Sequence, residues 1–405
     1  MLSFDIFCEV IDNFGDIGVV YRFANELLKK YNSQNKEVKI RVFLDKTSEL
    51  TALDNKATEI EKQTLNSIEF ITFDYLEKNK NEINPSEVIV EAFGYNLPSW
   101  YLEKAKSSSS LLINLEYLSS EDWTLDFHLQ ESLIGAPKLR KFFFMPGLSP
   151  KLGGIIIPSD PLGLNNKSAD NQKLSLLEYS KFLTENFLID KKIGSIFTYE
   201  YNFNTLLDSL NNQTDETILL FLGEKSQRSI KDLLKIKYNF SFDNTSEYLG
   251  KFGKVHIIFL PFMVQSKYDS LLSLCDFNFV RGEDSFVRGV LSSKPFLWHA
   301  YLQDDLVHLD KIDGFLNIFN NFVNNELSSF KNIAQNYSEL MVNFNTRISN
   351  SFTEEKPLNE KEDFSIFFAK LEELTTVNKV FSQYIITNCD LITKFTDFIK
   401  SKLDY

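Results

Sequence analysis

Short apolar runs alternate with an amphipathic helical pattern along the first third of this chain, and this alternation constrains the fold most. FDIFCEVI (residues 4–11) and VKIRVFLD (38–45) have the pattern of buried strands, and VVYRFANELLKKY (19–31) between them has helical spacing. A strand, a helix and a strand at this spacing indicate a parallel sheet covered by helices. Further strand-like runs follow at residues 68–73, 87–94 and 111–117.

The same alternation of strand and helix patterns begins again after a segment of different composition. Residues 158–192 open with Pro, Gly, Asn and Ser and continue as a polar helical stretch, which predicts a linker between domains. Strand-like runs then return. The chain after them has helical periodicity and no strand-like runs. These later runs lie at residues 194–202, 217–223, 255–262, 276–280 and 295–301.

The two series of strands and helices predict an α/β protein with two doubly wound domains. Ligands of such sheets bind at the carboxyl ends of the strands, where the strand order reverses, so we expect the site in a cleft between the domains. The predicted bounds are 1–157 for the N-terminal domain, 158–192 for the linker, 193–355 for the second domain and 356–405 for C-terminal helices that pack back toward the N-terminal domain.

Length and charge agree with this organisation and restrict the partners. At about 100–200 residues per domain, 405 residues imply two domains. The net charge is −13, from 43 basic and 56 acidic residues, and such a field disfavours binding to nucleic acid or to anionic membranes. No leader pattern, no membrane-spanning run and only 3 widely spaced cysteines are visible, which predicts a cytoplasmic protein.

A Gly turn flanked by two carboxylates follows the first predicted strand. Asp12 and Asp16 stand on either side of Asn13, Phe14 and Gly15, and Gly18 follows in the first helix. The carboxylates are suited to accepting a proton from a nucleophile or to orienting its donors. Taken alone, the pattern fits helix capping at least as well, because Asp is a common capping residue.

A second turn combines a cation with the start of a helix. Arg281 and Gly282 follow the strand-like run DFNFV, and Glu283, Asp284 and Ser285 form the first turn of the next helix. Acids at a helix start complement its dipole, which explains part of the pattern. The arginine and the amino end of the helix also make an anion site suited to a diphosphate, and the two acids can accept hydrogen bonds from sugar hydroxyls.

Aromatic residues near predicted strand ends form the third candidate group. Phe197, Tyr199 and Phe262 are placed to stack on a nucleobase beside Gln265, although aromatic residues on strands usually belong to the core. The histidines have no metal-ligand spacing, and we predict no metal site; they are His128, His256, His299 and His308. A phosphate-binding P-loop and a G-x-S-x-G motif are also missing from the sequence.

In these segments, the chain closely resembles the EarP family, the protein-arginine rhamnosyltransferases that modify bacterial translation elongation factor P. The likeness covers residues 4 to about 320 and is carried by FDIFCEVIDNFGDIGVVYRFANELL, GSIFTYE and LPFMVQSKYDSLLSLCDFNFVRGEDSFVRGVLSSKPFLWHAYLQDD. The resemblance implies a GT-B glycosyltransferase with two facing Rossmann-like domains. It implies that L-rhamnose is transferred from dTDP-β-L-rhamnose to an arginine of elongation factor P, with inversion and without a metal or a further cofactor. It also implies that this modification activates the factor for the relief of ribosome stalling at polyproline.

The resemblance also implies roles for single residues. Asp16 matches the general base and Asp12 the residue that supports it or orients the acceptor, although which of them is the base stays open. The donor-binding positions that match are Phe197, Tyr199, Phe262, Gln265, Arg281, Glu283, Asp284, Ser285 and Tyr301. The chain has Val264 and Leu302 where the family often has Pro. Two alternatives stay open, a GT-B transferase with another acceptor and a nucleotide-sugar-binding protein without turnover.

Overall fold

The computed structural model describes residues 1–11, 15–134, 136, 138–159, 173–241, 246–303, 306–346 and 364–403. Its chain divides into two compact units, Met1–Pro161 with Ile385–Tyr405 (unit 1) and Leu162–Tyr384 (unit 2). The predicted residues Asp12, Asn13 and Phe14, and positions 160–172 of the predicted linker, lie outside the described residues.

Unit 1 contains a mainly parallel sheet of eight described strands in the order β3-β4-β2-β1-β5-β6-β8-β7. Only β3 and β7 run antiparallel to their neighbours. The strands are β1 (Leu2–Cys8), β2 (Val38–Leu44), β3 (Lys62–Leu65), β4 (Ile68–Thr72), β5 (Val88–Ala92), β6 (Leu111–Leu115), β7 (Glu131–Ser132) and β8 (Arg140–Phe144). Its helices are α1 (Gly15–Ser33), α2 (Leu50–Leu53), α3 (Phe73–Lys78), α4 (Ser99–Ser108), α5 (Thr124–Phe127) and α15 (Leu391–Leu403).

Strand β1 is buried on both faces, which explains its nearly continuous apolar sequence. Phe4 and Ile6 belong to one core cluster, and Phe7 belongs to another. The first cluster includes Phe395 of α15, whose ring lies 5.1 Å from that of Phe23 in α1. Residues from two distant parts of the chain therefore share one core.

Unit 2 contains a second sheet, of six described strands in the order β11-β12-β10-β9-β13-β14, in which only β11 is antiparallel. The strands are β9 (Lys191–Ile196), β10 (Glu216–Phe221), β11 (Tyr248–Phe252), β12 (Val255–Phe259), β13 (Phe277–Arg281) and β14 (Phe296–His299). The helices are α6 (Glu185–Leu188), α7 (Asn204–Asn211), α8 (Glu224–Tyr238), α9 (Gln265–Leu274), α10 (Gly282–Leu291), α11 (His308–Glu326), α12 (Lys331–Asn345) and α13 (Phe364–Ala369), with 3-10 turns at Ser175–Glu178 and Ser328–Phe330. Helix α14 (Leu371–Asn388) begins in unit 2 and ends in unit 1.

The predicted α/β class with two Rossmann-like domains is confirmed. The predicted strand at 4–11 was too long, because β1 ends at Cys8, and the strand at 194–202 was shifted, because β9 ends at Ile196. The strand β8 was missed. Within the predicted linker, Leu176, Leu183 and Leu188 are buried in a core cluster of unit 2.

Candidate functional site

The strand order of unit 2 reverses between β9 and β13. The chain leaves β9 toward β10 on one side, whereas β13 pairs with β9 on the other side and leads on to β14. Ligands of open α/β sheets bind at such a point, next to the carboxyl ends of the strands. Phe197, Tyr199 and Arg281 lie at the carboxyl ends of these two strands, and Phe197 N donates to Phe279 O at 2.9 Å.

The Arg281 guanidinium lies over two aromatic rings. Its carbon is 4.2 Å from the centroid of the Phe197 ring and 5.2 Å from that of Tyr199. The Nη1 atom donates to Thr198 O at 3.0 Å. These contacts orient the cation, and they bring together three residues that the sequence predicted for one site.

Glycines allow the backbone to approach these rings closely. Gly282 has φ +64° and begins α10, and a Cβ atom there would lie 3.3 Å from the Tyr199 hydroxyl. Gly223 has φ +74° and precedes α8, and a Cβ atom there would lie 2.7 Å from the Phe197 ring. Both helices therefore direct their positive amino ends toward the Phe197–Arg281 region.

The acids of the second predicted motif each face a cation. Glu283 accepts from Lys311 Nζ at 2.7 Å, and Asp284 lies 3.7 Å from the buried guanidinium of Arg288. Their side chains are 28% and 20% exposed, so the carboxylates are still accessible to a polar ligand. Ser285 beside them is nearly buried. Both carboxylates lie in the first turn of α10, where negative charge complements the helix dipole.

The predicted aromatic residues fall into two groups. Tyr301 meets Tyr199 edge to face with the centroids 5.5 Å apart, and it is 64% exposed. Phe262, which is 67% exposed, and Gln265, which begins α9, instead follow β12, two strands away from β9. An exposed aromatic ring at a strand end is available for stacking on a planar ligand.

Two residues near Arg281 were not assigned a role by the sequence. Lys225, in the first turn of α8, places its Nζ 5.3 Å from the Tyr199 ring centroid and 3.3 Å from Glu200. Buried His299 packs against Tyr199 with the ring centroids 5.4 Å apart. Burial, together with the charges of Arg281 and other nearby cations, lowers the pKa of His299 to about 3, so its imidazole is neutral near pH 7.

In unit 1 the strand order reverses between β1 and β5, and Asp16 stands in the first turn of α1, just after β1. Its side chain is buried, and one carboxylate oxygen accepts from the backbone N–H of Ile11 at 2.9 Å. Gly15 begins the helix, and Gly18 is buried within it. The contact with Ile11 orients the carboxylate, and its donor lies outside α1.

Among the described residues, no group of three or more His, Cys, Asp or Glu side chains is arranged to hold a metal ion. No described helix has both the length and the apolar character needed to cross a bilayer.

The family profile and the similar sequences that match this chain all belong to one family. The family profile described as "Elongation-Factor P (EF-P) rhamnosyltransferase EarP" matches residues 4–400. A protein-arginine rhamnosyltransferase of Pseudomonas aeruginosa is 30% identical over 334 residues, which cover 79% of this chain and 82% of that protein. The enzyme of the same name from Neisseria meningitidis serogroup B is 30% identical over 76% of this chain and 77% of that protein.

A solved structure has the same fold. This structure is described as "Structural basis for EarP-mediated arginine glycosylation of translation elongation factor EF-P". It superposes on the present chain with a TM-score of 0.61 and 20% sequence identity, and the match covers 100% of both chains. The match confirms the predicted GT-B fold class.

Proposed function

This chain belongs to the EarP family of elongation factor P rhamnosyltransferases, and on that premise we propose that it transfers L-rhamnose from dTDP-β-L-rhamnose to an arginine side chain of elongation factor P. The reaction inverts the anomeric centre in a single displacement. In the cytoplasm, the modified factor would relieve ribosome stalling at polyproline. The observation that carries the proposal is the Arg281–Phe197–Tyr199 cluster at the strand-order reversal of unit 2, at the amino end of α10.

Unit 2 supplies the donor site in this proposal. Arg281 and the amino end of α10 stabilise the diphosphate, on which negative charge develops as dTDP leaves. Phe197, Tyr199, Phe262 and Gln265 surround the thymine, and Tyr301 contacts the diphosphate. Glu283, Asp284 and Ser285 accept hydrogen bonds from the ribose or the sugar.

Unit 1 supplies the carboxylate chemistry. A guanidinium has a pKa above about 12 and delocalised lone pairs, so it is a poor nucleophile until a proton is accepted from it. We assign that task to the pair Asp16 and Asp12, with Asp16 as the base. A guanidine nitrogen forms its bond to the anomeric carbon, the bond from that carbon to the diphosphate oxygen breaks, and the proton passes to the carboxylate.

The test is the intact mass of elongation factor P after incubation with this protein and dTDP-β-L-rhamnose. We expect a gain of one deoxyhexosyl group that disappears when the acceptor arginine is replaced by lysine. An unchanged mass with intact dTDP binding would favour a transferase with another acceptor. Modification that is equally fast with an Asp16→Asn variant would contradict the assigned chemistry, and an absence of both transfer and dTDP binding would contradict the donor site.

Replacing Lys225 by Gln is expected to weaken dTDP binding about tenfold, the loss expected for one charge-assisted hydrogen bond. Glu200 pairs with Arg228 at 2.9 Å as well as with Lys225, so Lys225 can turn to a diphosphate while Glu200 keeps a partner. Calorimetric titration with dTDP measures the change. Lys231→Gln is the matched control, because Lys231 is on the same helix but lies over the Phe259 ring. Equal affinities of the two variants would exclude a role for Lys225.

A further inference from the structure

The steps proposed above do not use the side chain of Trp298, although it reaches the turn that carries Arg281. Trp298 lies in β14, which pairs with β13 so that Trp298 stands beside Val280. Its indole Nε1 donates to the backbone oxygen of Gly282, the first residue of α10, at 2.8 Å. A buried side chain from the neighbouring strand therefore holds one carbonyl of the turn.

This hydrogen bond orients a peptide group that a glycine does not orient by itself. Gly282 has φ +64°, in the left-handed region, and without a Cβ atom its ψ angle is only weakly restricted. Contacts with the rest of the protein must therefore set the orientation of the peptide group between Gly282 and Glu283. Trp298 supplies such a contact at the carbonyl end of that group.

The direction of this carbonyl also determines where the N–H of the same peptide group points. A trans peptide is planar, and its C=O and N–H bonds point in opposite directions; none of the described peptide bonds is cis. Because the oxygen of Gly282 is directed to β14, the N–H of Glu283 is directed away from β14. The strands β14 and β9 lie on opposite sides of β13, so this N–H faces the β9 side, where the strand order reverses.

The other groups of the proposed diphosphate site lie on this β9 side. A Cβ atom on Gly282 would be 3.3 Å from the Tyr199 hydroxyl, and the Arg281 guanidinium carbon is 5.2 Å from the centroid of the Tyr199 ring. A backbone N–H directed there joins the Arg281 cation as a donor to an anion. Donors that are oriented in advance stabilise the negative charge that develops on a leaving diphosphate.

Trp298 is itself held by three helices. Its ring stacks on Phe286 of α10, with the centroids 4.0 Å and the planes 21° apart, and it meets Phe315 of α11 at 6.4 Å. Buried Asn345 of α12 donates through Nδ2 to the Trp298 carbonyl at 2.7 Å and accepts through Oδ1 from Ala300 N at 2.9 Å. The indole is therefore a rigid support, which lowers the entropy cost of orienting the turn.

We propose that Trp298 is a positioning residue for the transfer, because it directs the Glu283 N–H at the donor diphosphate through the Gly282 carbonyl. This inference rests on the proposed function. The indole N–H should therefore affect the binding of a ligand that carries phosphate groups. It should not affect the binding of the nucleoside alone, which has no anion for the Glu283 N–H.

The test compares dTDP with thymidine, which lacks both phosphate groups. A Trp298→Phe variant keeps an aromatic ring and loses the N–H, and we expect its Kd for dTDP to rise about tenfold, the loss expected for one hydrogen bond to a charged group. The Kd for thymidine stays unchanged, which also shows that the variant is folded. Calorimetry measures both values. In transfer assays, kcat/KM for dTDP-β-L-rhamnose should fall at least as much, since the leaving group gains charge in the transition state.

Phe315→Leu is the matched control, because it removes a ring beside the indole and keeps the indole N–H. This variant should lower the midpoint of urea unfolding, while the ratio of its Kd values for thymidine and dTDP stays that of the unaltered protein. Equal losses of dTDP and thymidine affinity in Trp298→Phe would show a merely structural role and overturn the proposal. So would an unchanged affinity for dTDP in that variant.

A spectroscopic measurement on the indole N–H gives a second test that does not need a Trp298 variant. The chain has 3 tryptophans, so replacing Trp100 and Trp123 by Phe leaves the indole signal of Trp298 alone. A phosphate bound at the Glu283 N–H polarises the Gly282 carbonyl and strengthens its bond from the indole. Saturating dTDP should therefore move this proton signal downfield, and thymidine should not.

The outcomes separate this inference from the proposed function. Equal shifts of the Trp298 signal with both ligands, or no shift with dTDP bound, would overturn the positioning role and leave the proposed transfer in place. An absence of dTDP binding by the unaltered protein would contradict the proposed function, and the positioning role with it.

Discussion

An Asp16→Asn variant is expected to lose about 10²- to 10⁴-fold in kcat, the range by which a positioned general base accelerates a reaction. The amide oxygen can still accept the hydrogen bond from Ile11 N, so this contact is kept. The variant loses the negative charge and the capacity to take a proton. Single-turnover transfer to elongation factor P measures the chemical step, and calorimetry with dTDP shows whether the donor site is intact.

Asp45→Asn is a matched control for this experiment. Asp45 also accepts from a backbone N–H of the segment after β1, that of Val10 at 2.9 Å. The negative charges of both Asp16 and Asp45 contribute, after burial, to raising the pKa of the Cys8 thiol, so both carboxylates lie close to it. If the Asp45 variant lost as much activity as the Asp16 variant, the loss would reflect the local field rather than a base. A fully active Asp16 variant would contradict the assigned role.

The Asp5→Ala substitution is expected to destabilise unit 1 by about 3–5 kcal/mol, as is typical when one partner of a buried ion pair is removed. Asp5 is fully buried and accepts from Arg41 Nε at 2.6 Å, Arg41 Nη2 at 2.7 Å, Ser86 N at 2.8 Å and the Tyr101 hydroxyl. Burial alone would lower the pKa of Arg41, but its hydrogen bonds with Asp5 raise it. Without Asp5, a buried cation and two donors lose their acceptor.

Urea unfolding followed by tryptophan fluorescence measures this loss. A Trp298→Phe background leaves Trp100 and Trp123, both in unit 1, as the reporters. Glu131→Ala is the control, because Glu131 forms a comparable two-bond pair with Arg140 that is exposed on both sides. Solvent screens such a pair, and its removal should change the midpoint little. Similar shifts for both variants would show that burial does not set the cost.

The sequence predicted the elements whose pattern is local. The apolar run of β1 and the helical spacing of α1 identified both elements, because each side chain's environment repeats along the segment. Strand β8 was missed because RKFFF begins with two cations and is defined by its pairing with β6 rather than by alternation. Phe197 was predicted within a strand, but β9 ends at Ile196.

The sequence predicted those residues of the candidate site whose motif lies at a turn between a strand and a helix. Arg281 and Gly282 follow a strand and begin a helix, so their positions could be predicted from the sequence. Lys225 could not be found in this way, since it reaches Tyr199 through the turn at Gly223, whose φ of +74° no spacing reveals. The partners of Glu283 and Asp284 also depend on tertiary packing, because Lys311 comes from another helix.

The packing of α15 against α1 affects the order in which the protein matures on the ribosome. Lys30 Nζ donates to Thr393 Oγ1 at 2.9 Å across 363 positions of sequence, and Phe395 lies within the same core as Phe23. Domains usually fold in the order of their synthesis, at about 5–20 residues per second. Here the domain translated first stays incomplete until nearly the whole chain has emerged, so the nascent first domain exposes apolar surface to chaperones for tens of seconds.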